Sequence, residues 1–152
     1  MRLLVLHGPN LNLLGTRRPD LYGTATLEQI DRMLSDAAQA AGHDIDSAQS
    51  NHEGELIDRL HAARSHFDGV LLNPGGLGHT SVALRDAVEA CGVPVAEVHL
   101  SNIYAREDYR RRSIVAEACA GVVSGFGPQS YVAAMWALLG VLQAGDTTTP
   151  AP

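Results

Sequence analysis

The amino-acid sequence predicts one α/β domain built around a five-stranded parallel sheet. Short apolar runs alternate along the chain with longer segments of helical periodicity, which is the pattern of repeated βαβ units. Runs such as Val70-Leu71-Leu72 show no alternation of apolar and polar residues, as expected for strands that helices cover on both faces. The length of 152 residues is that of one domain rather than two. The predicted strands are residues 2–7, 44–49, 69–73, 93–98 and 121–124.

The first strand leads into a long connection and then a helix. Residues 8–24 are rich in Gly, Pro and Asn, and a βα connection usually has only about 2–6 residues. We expect this segment, called the lid below, to cover a binding site. Apolar residues from Leu27 to Ala38 then recur at helical spacing, Thr26 and Gln29 have the spacing of a capping box, and Gly42 ends the pattern.

Three further helices are predicted. The second carries Leu56 and Leu60 on its apolar face, with Asn51 as its predicted N-cap. The third covers residues 84–91 and is closed by the Gly-Val-Pro sequence that follows. The last, about residues 130–142, is apolar on almost all sides. Residues 1–142 would form the domain, and residues 143–152 a disordered tail.

The composition excludes several classes of protein. The formal charge of -6 has the wrong sign for a general binder of nucleic acid or of an anionic membrane. No apolar run reaches the ~18 residues that span a bilayer, and no signal peptide is recognisable, so we expect a cytoplasmic protein. Charged residues make up 18%, below the roughly 25% typical of soluble proteins. Together with the apolar last helix, this predicts a surface that is partly buried against copies of the same chain.

No metal or cofactor site is predicted. Cys91 and Cys119 stand among apolar or small residues, match no metal spacing and are expected to be packed, reduced thiols. The sequence contains no His-Glu-x-x-His and no clustered set of Asp and Glu that would ligate a metal. No Gly-x-Gly-x-x-Gly follows the first strand, and no Walker lysine follows the later glycine loop.

Polar residues gather where the predicted strands end. Ligands of open α/β sheets bind at the carboxyl ends of the strands, so these residues are candidates for a site. One such residue alone is more often a cap or a turn former, but several converging on one edge favour a binding site. The candidates are Asn10, Asn73, His79, His99 and Ser101.

Several of these features have two interpretations. The adjacent Gly75 and Gly76 let a backbone approach a ligand, and the following helix could direct its N–H groups at a carboxylate or phosphate; equally, the loop is a glycine turn with Thr80 or Ser81 as N-cap. Tyr22 becomes a base only if cations such as those at positions 17 and 18 stabilise its phenolate, and otherwise it packs the loop.

Two further groups remain open in the same way. His99 is either a site residue or a satisfied core histidine. The charged run at residues 106–112 is by default a solvated surface, and the alternative is that one arginine folds back to bind a carboxylate.

Four motifs together resemble type II 3-dehydroquinate dehydratase over about residues 3–142. The motifs are GPNLN at 8–12, QSNHEG at 49–54, NPGG at 73–76 with HTS at 79–81, and EVHLSN at 97–102. The resemblance implies a flavodoxin-like three-layer sandwich that converts 3-dehydroquinate to 3-dehydroshikimate and water by anti elimination through an enolate, without a cofactor. It also implies a homo-dodecamer of trimers and a place in the shikimate (chorismate, aromatic amino acid) or quinate pathway.

The resemblance assigns roles position by position. It implies that Tyr22 is the base, Arg17 its activating cation, His99 the acid, and Asn10 the residue that orients a water beside the enolate. The implied substrate contacts are Asn73, Gly75, Gly76, His79, Leu100, Ser101, Arg110 and, from a neighbouring subunit, Asp86.

The chain departs from the family pattern at two positions. Arg18 stands where the family usually has Glu, and Gly78 where it commonly has Thr before the loop histidine. We expect these changes to alter efficiency rather than the reaction, with Gly78 giving the backbone around His79 more freedom. The alternatives are a binding module that holds a phosphorylated ligand without chemistry, and a lyase for a different cyclic hydroxyketone.

Overall fold

Five parallel strands form one sheet in the computed structural model, which describes residues 1–16 and 19–145. The strands are β1 Arg2–His7, β2 Asp44–Gln49, β3 Gly69–Asn73, β4 Val95–His99 and β5 Gly121–Ser124. They stand in the order β2-β1-β3-β4-β5, which is that of flavodoxin-like sheets. The predicted class and the five predicted strands are confirmed. The fourth begins two residues later than predicted, because Pro94 has no N–H to donate to the ladder.

Helices cover both faces of the sheet. They are α1 Pro19–Tyr22, α2 Leu27–Ala40, α3 Glu53–His66, α4 Val82–Ala90 and α5 Gln129–Ala144. Leu3 and Leu71 pack with the buried residues of α2 and α5, whereas Leu4 and Leu72 pack with those of α3 and α4. Alternate residues of each strand therefore face different helical layers, as the pleat requires, and the predicted three-layer sandwich is confirmed.

The helix ends test the predicted caps. Thr26 Oγ accepts the Gln29 N–H, and Gln29 Oε1 accepts the Thr26 N–H, so the predicted capping box is present. The predicted Asn51 cap is wrong: α3 begins at Glu53, and its N-cap residue makes no side-chain cap bond. The Asn51 amide oxygen instead accepts the backbone N–H of Asn10 at 2.9 Å.

The lid has a defined path in its described part. A 3₁₀ turn spans Leu11–Leu13, and α1 brings Tyr22 toward the sheet. Arg17 and Arg18 lie outside the described residues. At the other end of the chain, α5 continues to Ala144, so the first two residues of the predicted tail are helical, and residues 146–152 lie outside the described part. Within the described residues, no helix has the length and apolarity needed to cross a membrane.

Candidate active site

A cavity of about 120 Å³ opens at the carboxyl ends of β1, β3 and β4. Ten of the predicted site residues line it. They are Asn10, Tyr22, Asn73, Gly75, Gly76, His79, His99, Leu100, Ser101 and Arg110. The polar residues that were predicted to converge on one edge of the sheet therefore do so in the structure.

Asn10 is held in an unusual backbone conformation at the rim. Its φ is 69°, in the left-handed region that Asn tolerates better than most residues. Asn51 fixes it there by accepting its N–H, and Gln49 Nε2 in turn donates to Asn51 at 3.1 Å. The loop after β2 therefore positions a residue of the lid.

The loop that contains Gly75 and Gly76 lies against the loop that follows β1. Gly75 has φ 57°, and a Cβ there would lie 3.0 Å from the Pro9 carbonyl oxygen. Its N–H donates to Asn73 Oδ1 at 3.2 Å. Both glycines line the cavity, and the backbone of this loop consequently approaches any occupant closely.

The start of α4 is closed by its own cap. Ser81 Oγ accepts the Leu84 N–H at 2.8 Å and donates to the carboxylate of Glu53. Within the described residues, no member of α4 lines the cavity. Of the two interpretations of this loop, the Ser81 cap is thus the one that the structure contains.

Gly78 serves a packing purpose rather than a conformational one. It is buried, and a Cβ on it would lie 2.8 Å from Pro74 Cγ and 3.3 Å from Ser113 Oγ. Its φ is not in the positive range that glycine alone adopts freely. The expected gain of backbone freedom around His79 stays a prediction, and in the structure the missing side chain leaves room for Pro74.

His99 is both buried and directed to the cavity. Its Nε2 lies 2.5 Å from Oε1 of Glu97, which is two residues earlier on β4 and therefore on the same face of the strand. Glu97 is completely buried, and Ser113 Oγ lies 3.0 Å from its other oxygen. A buried carboxylate needs such partners. We assigned no role to Glu97 from the sequence, although a charge within an apolar strand was a usable signal.

A second histidine lies beside the first. The rings of His79 and His99 stack with centroids 6.1 Å apart, and His79 Nδ1 donates to the carbonyl oxygen of Arg112 at 2.8 Å. That bond orients the His79 ring and leaves its Nε2 for a ligand.

Arg106 is the main site residue that we missed in the sequence. One of its terminal nitrogens, Nη1, lies 3.2 Å from the Tyr22 hydroxyl and 3.1 Å from Ser101 Oγ. Its guanidinium carbon also lies 5.6 Å from the centre of the Tyr22 ring. A cation therefore contacts the tyrosine in the described part of the chain, independently of Arg17.

The charged run divides between the cavity and the solvent. The exposed fraction of the side chain is 13% for Arg106 and 27% for Arg110, but 56% for Arg111 and 76% for Arg112. The solvated-surface interpretation thus holds for the last two arginines and is wrong for the first two. The local pattern could not separate them, because short 3₁₀ turns rather than a regular helix carry this part of the chain, and the resemblance singled out only Arg110.

Glu107 links the two inner arginines. Its Oε2 lies 3.4 Å from Arg106 Nε and 3.3 Å from Arg110 Nε. A hydrogen bond from its own backbone N–H and the charges of the two arginines hold the pKa of the Glu107 carboxyl below its ordinary value. The Arg110 Nε atom is buried and, among the described residues, lacks a partner with hydrogen-bond geometry. Arg110 therefore lines the cavity with a guanidinium that is ion-paired to Glu107 through Nε.

Asp86 does not lie in the cavity of its own chain. It is on α4 with 65% of its side chain exposed, and its carboxylate is 3.3 Å from Arg85 Nη1. Within the described residues, no group of three or more His, Cys, Asp or Glu side chains forms a metal site.

Comparison with known proteins identifies the family. The model of the class II dehydroquinase family matches residues 1–139. The chain belongs to this family. A 3-dehydroquinate dehydratase from Dinoroseobacter shibae is 49% identical over 150 residues, covering 99% of this chain and 100% of the relative. One from Xanthomonas campestris is 53% identical, covering 93% of this chain and 96% of the relative.

Solved structures of class II dehydroquinases share the fold. The crystal structure of a type II dehydroquinase from Butyrivibrio crossotus superposes with a TM-score of 0.90 at 36% identity, covering 91% of this chain and 97% of that one. That from Propionibacterium acnes gives 0.86 at 34% identity, covering 91% and 96%. The resemblance that the four motifs carry and the flavodoxin-like fold are both confirmed.

Proposed function

We propose that this protein is a hydro-lyase that converts 3-dehydroquinate to 3-dehydroshikimate and water by anti elimination. Curated relatives at about half identity carry the name of that activity. The observation that carries the proposal is one cavity that contains a tyrosine beside a guanidinium and a histidine beside a buried carboxylate. These are a candidate base and a candidate acid for removing one proton and adding another.

The base is Tyr22 in its phenolate form. Arg106 Nη1 lies 3.2 Å from the hydroxyl oxygen and places a positive charge beside the proposed phenolate. The phenolate removes the C2 proton next to the C3 ketone, and the C–H electron pair passes into an enolate on the C3 oxygen. Arg17 is predicted to add a second cation from the undescribed part of the lid.

The enolate needs hydrogen-bond donors that are already in place. Asn10 is proposed to hold a water against the enolate oxygen. Its backbone conformation, fixed by Asn51, supports this role because the side chain is then positioned before the substrate arrives.

The acid is His99. Because the Glu97 carboxylate accepts the Nε2 proton, the other nitrogen of the imidazolium, Nδ1, is the one that donates to the leaving C1 hydroxyl. The enolate then collapses, the C1–C2 double bond forms, and the C1–O bond breaks with release of water. The enzyme regains its starting state when Tyr22 loses and His99 regains a proton.

Polar groups around the cavity bind the substrate. Arg110 offers its guanidinium to the substrate carboxylate, and Ser101 and the Leu100 backbone contact the same end. The ring hydroxyls are assigned to Asn73 and His79. The pathway that uses the product is the shikimate or the quinate pathway, and we place the enzyme in the cytoplasm.

A spectroscopic assay tests the reaction. Mixing the protein with 3-dehydroquinate should produce the ultraviolet absorbance of the conjugated enone. Tyr22→Phe should lower kcat by about 10²- to 10⁴-fold, the usual contribution of a general base, and leave substrate binding in place. Tyr104→Phe is the matched control, since Tyr104 is 67% exposed and does not line the cavity. Calorimetric binding of 3-dehydroquinate without product would favour the binding-module alternative instead.

The proposed assembly is a dodecamer of trimers in which Asp86 reaches a neighbouring site. The exposure of Asp86 and the exposed Trp136 on the apolar α5 support contacts between copies. Mixing the inactive variants Asp86→Ala and Tyr22→Phe should restore activity in about a quarter of the sites after random exchange of subunits. Absence of any recovery from subunits shown to exchange would contradict the shared site.

A further inference from the structure

A buried chain of polar side chains leads from α2 to Asn73. His7 and Asn73 are register partners at the ends of β1 and β3, so both side chains point to the face that α2 and α5 cover. The Tyr131 hydroxyl lies 2.9 Å from His7 Nδ1 and 2.9 Å from Asn73 Nδ2. His7 Nε2 lies 2.8 Å from a carboxylate oxygen of Asp31. His7 and Tyr131 are completely buried, so water does not compete for the two bonds of the Tyr131 hydroxyl, whereas 30% of the Asp31 side chain is exposed.

The carboxylate sets the direction of every hydrogen bond in this chain. Asp31 in its ionised form only accepts, so Nε2 of His7 carries the proton. In the neutral imidazole Nδ1 is then an acceptor, and it receives the O–H of Tyr131. The Tyr131 oxygen in turn accepts from Asn73. Burial raises the pKa of Tyr131, so the hydroxyl keeps the proton that it donates.

The consequence is a fixed orientation of the Asn73 amide. Its nitrogen must face Tyr131, and its oxygen accepts the Gly75 N–H at 3.2 Å. Among the described residues, these bonds use one of the two N–H groups and one of the two lone pairs of the amide. The other N–H and the other lone pair remain for an occupant of the cavity that Asn73 lines.

We propose that Asp31, His7 and Tyr131 are positioning residues that hold the Asn73 amide in the orientation in which it binds the substrate. This rests on the proposed function, in which Asn73 contacts the substrate ring. Within the described residues, none of the three lines the cavity. They therefore act on the substrate through Asn73 alone.

Steady-state kinetics test the proposal. Tyr131→Phe removes only the hydroxyl and should raise KM about three- to tenfold, the effect of one misplaced hydrogen bond, with kcat changed less than about twofold. Asp31→Leu should do the same, because His7 is then free to take the other tautomer. Asp31→Asn can still accept from His7 through its amide oxygen and should restore KM. Leu138→Val alters the same buried layer of α5 without changing any of the hydrogen-bonded side chains from Asp31 to Asn73, and it should leave KM unchanged.

The outcomes separate positioning from general loss of stability. A rise in KM for Tyr131→Phe and Asp31→Leu, absent from Asp31→Asn and Leu138→Val, supports the proposal. An unchanged KM in Tyr131→Phe, or an equal rise in Leu138→Val, overturns it. If the wild-type protein forms no product, the proposed function fails, and nitrogen NMR then decides the orientation of the Asn73 amide.

Nitrogen NMR gives a readout that does not depend on activity. In the wild-type protein, His7 should be the Nε2–H tautomer, with its signals assigned by their loss in His7→Gln. The side-chain NH₂ signals of Asn73 should shift in Tyr131→Phe and not in Leu138→Val. An Nδ1–H tautomer of His7, or Asn73 signals that do not respond to Tyr131→Phe, would overturn the proposal.

Discussion

Arg106→Met is expected to slow proton removal strongly. In the structure, Arg106 Nη1 lies 3.2 Å from the Tyr22 hydroxyl, and only 13% of the Arg106 side chain is exposed, so solvent screens the contact little. A hydrogen bond to a charged group contributes about 1.5–3 kcal/mol. Since about 1.4 kcal/mol of barrier corresponds to a tenfold rate, loss of this contact from the phenolate should lower kcat by roughly 10- to 100-fold.

The assay is the initial rate of enone formation at saturating 3-dehydroquinate. Arg106→Lys keeps the charge and should retain more activity than Arg106→Met. Arg112→Met is the matched control, because 76% of the Arg112 side chain is exposed and it pairs with Glu117. With substrate deuterated at C2, the isotope effect on kcat should be at least as large in Arg106→Met as in the wild type. A kcat within about twofold of wild type in Arg106→Met would refute the role of Arg106 as the counter-charge of the base.

Three other predictions concern the acid, the packing and the pH dependence. Glu97→Gln should lower kcat by about 10-fold or more, because the neutral amide no longer stabilises the imidazolium; kinetics at fixed pH test this. Gly78→Ala should reduce the free energy of unfolding by about 1–3 kcal/mol in urea titrations, because its Cβ would crowd Pro74, and an unchanged midpoint would contradict it. A hydrogen bond from Ser50 lowers the pKa of the Glu55 carboxyl below its ordinary value of 4.5. Glu55→Gln should therefore reduce the free energy of unfolding at pH 7, and the difference from the wild type should shrink as the pH falls below about 4.5. A difference that stays constant down to pH 2 would argue against this linkage.

The elements of the fold were predictable because they depend on local patterns. Unbroken apolar runs mark strands covered on both sides, and the capping box of Thr26 and Gln29 is a contact between residues three apart. The Asn51 cap failed for the opposite reason. Its amide oxygen is taken by Asn10, 41 residues earlier in the chain, and such a competitor has no local signature.

The candidate site was predictable only in its framework. Residues at the ends of strands were placed at the sheet edge by topology, and the motifs predicted roles for them. The local pattern did not distinguish Arg106 and Arg110 from Arg112, because an irregular run of short turns decides which of them faces inward, and the resemblance singled out only Arg110. The contact of Tyr131 with Asn73 joins residues 58 apart in the chain, and only the packed helical layer makes it visible.

The Arg106 guanidinium contacts both Tyr22 and Ser101 and so links the position of the lid to the surroundings of the proposed base. Tyr22 belongs to α1 in the lid, whereas Ser101 follows β4 in the body of the domain, and Arg106 Nη1 reaches both. Any movement that carries α1 outward separates the Tyr22 hydroxyl from Arg106 Nη1 and so breaks this contact. The position of α1 therefore decides whether the proposed base has this guanidinium beside it.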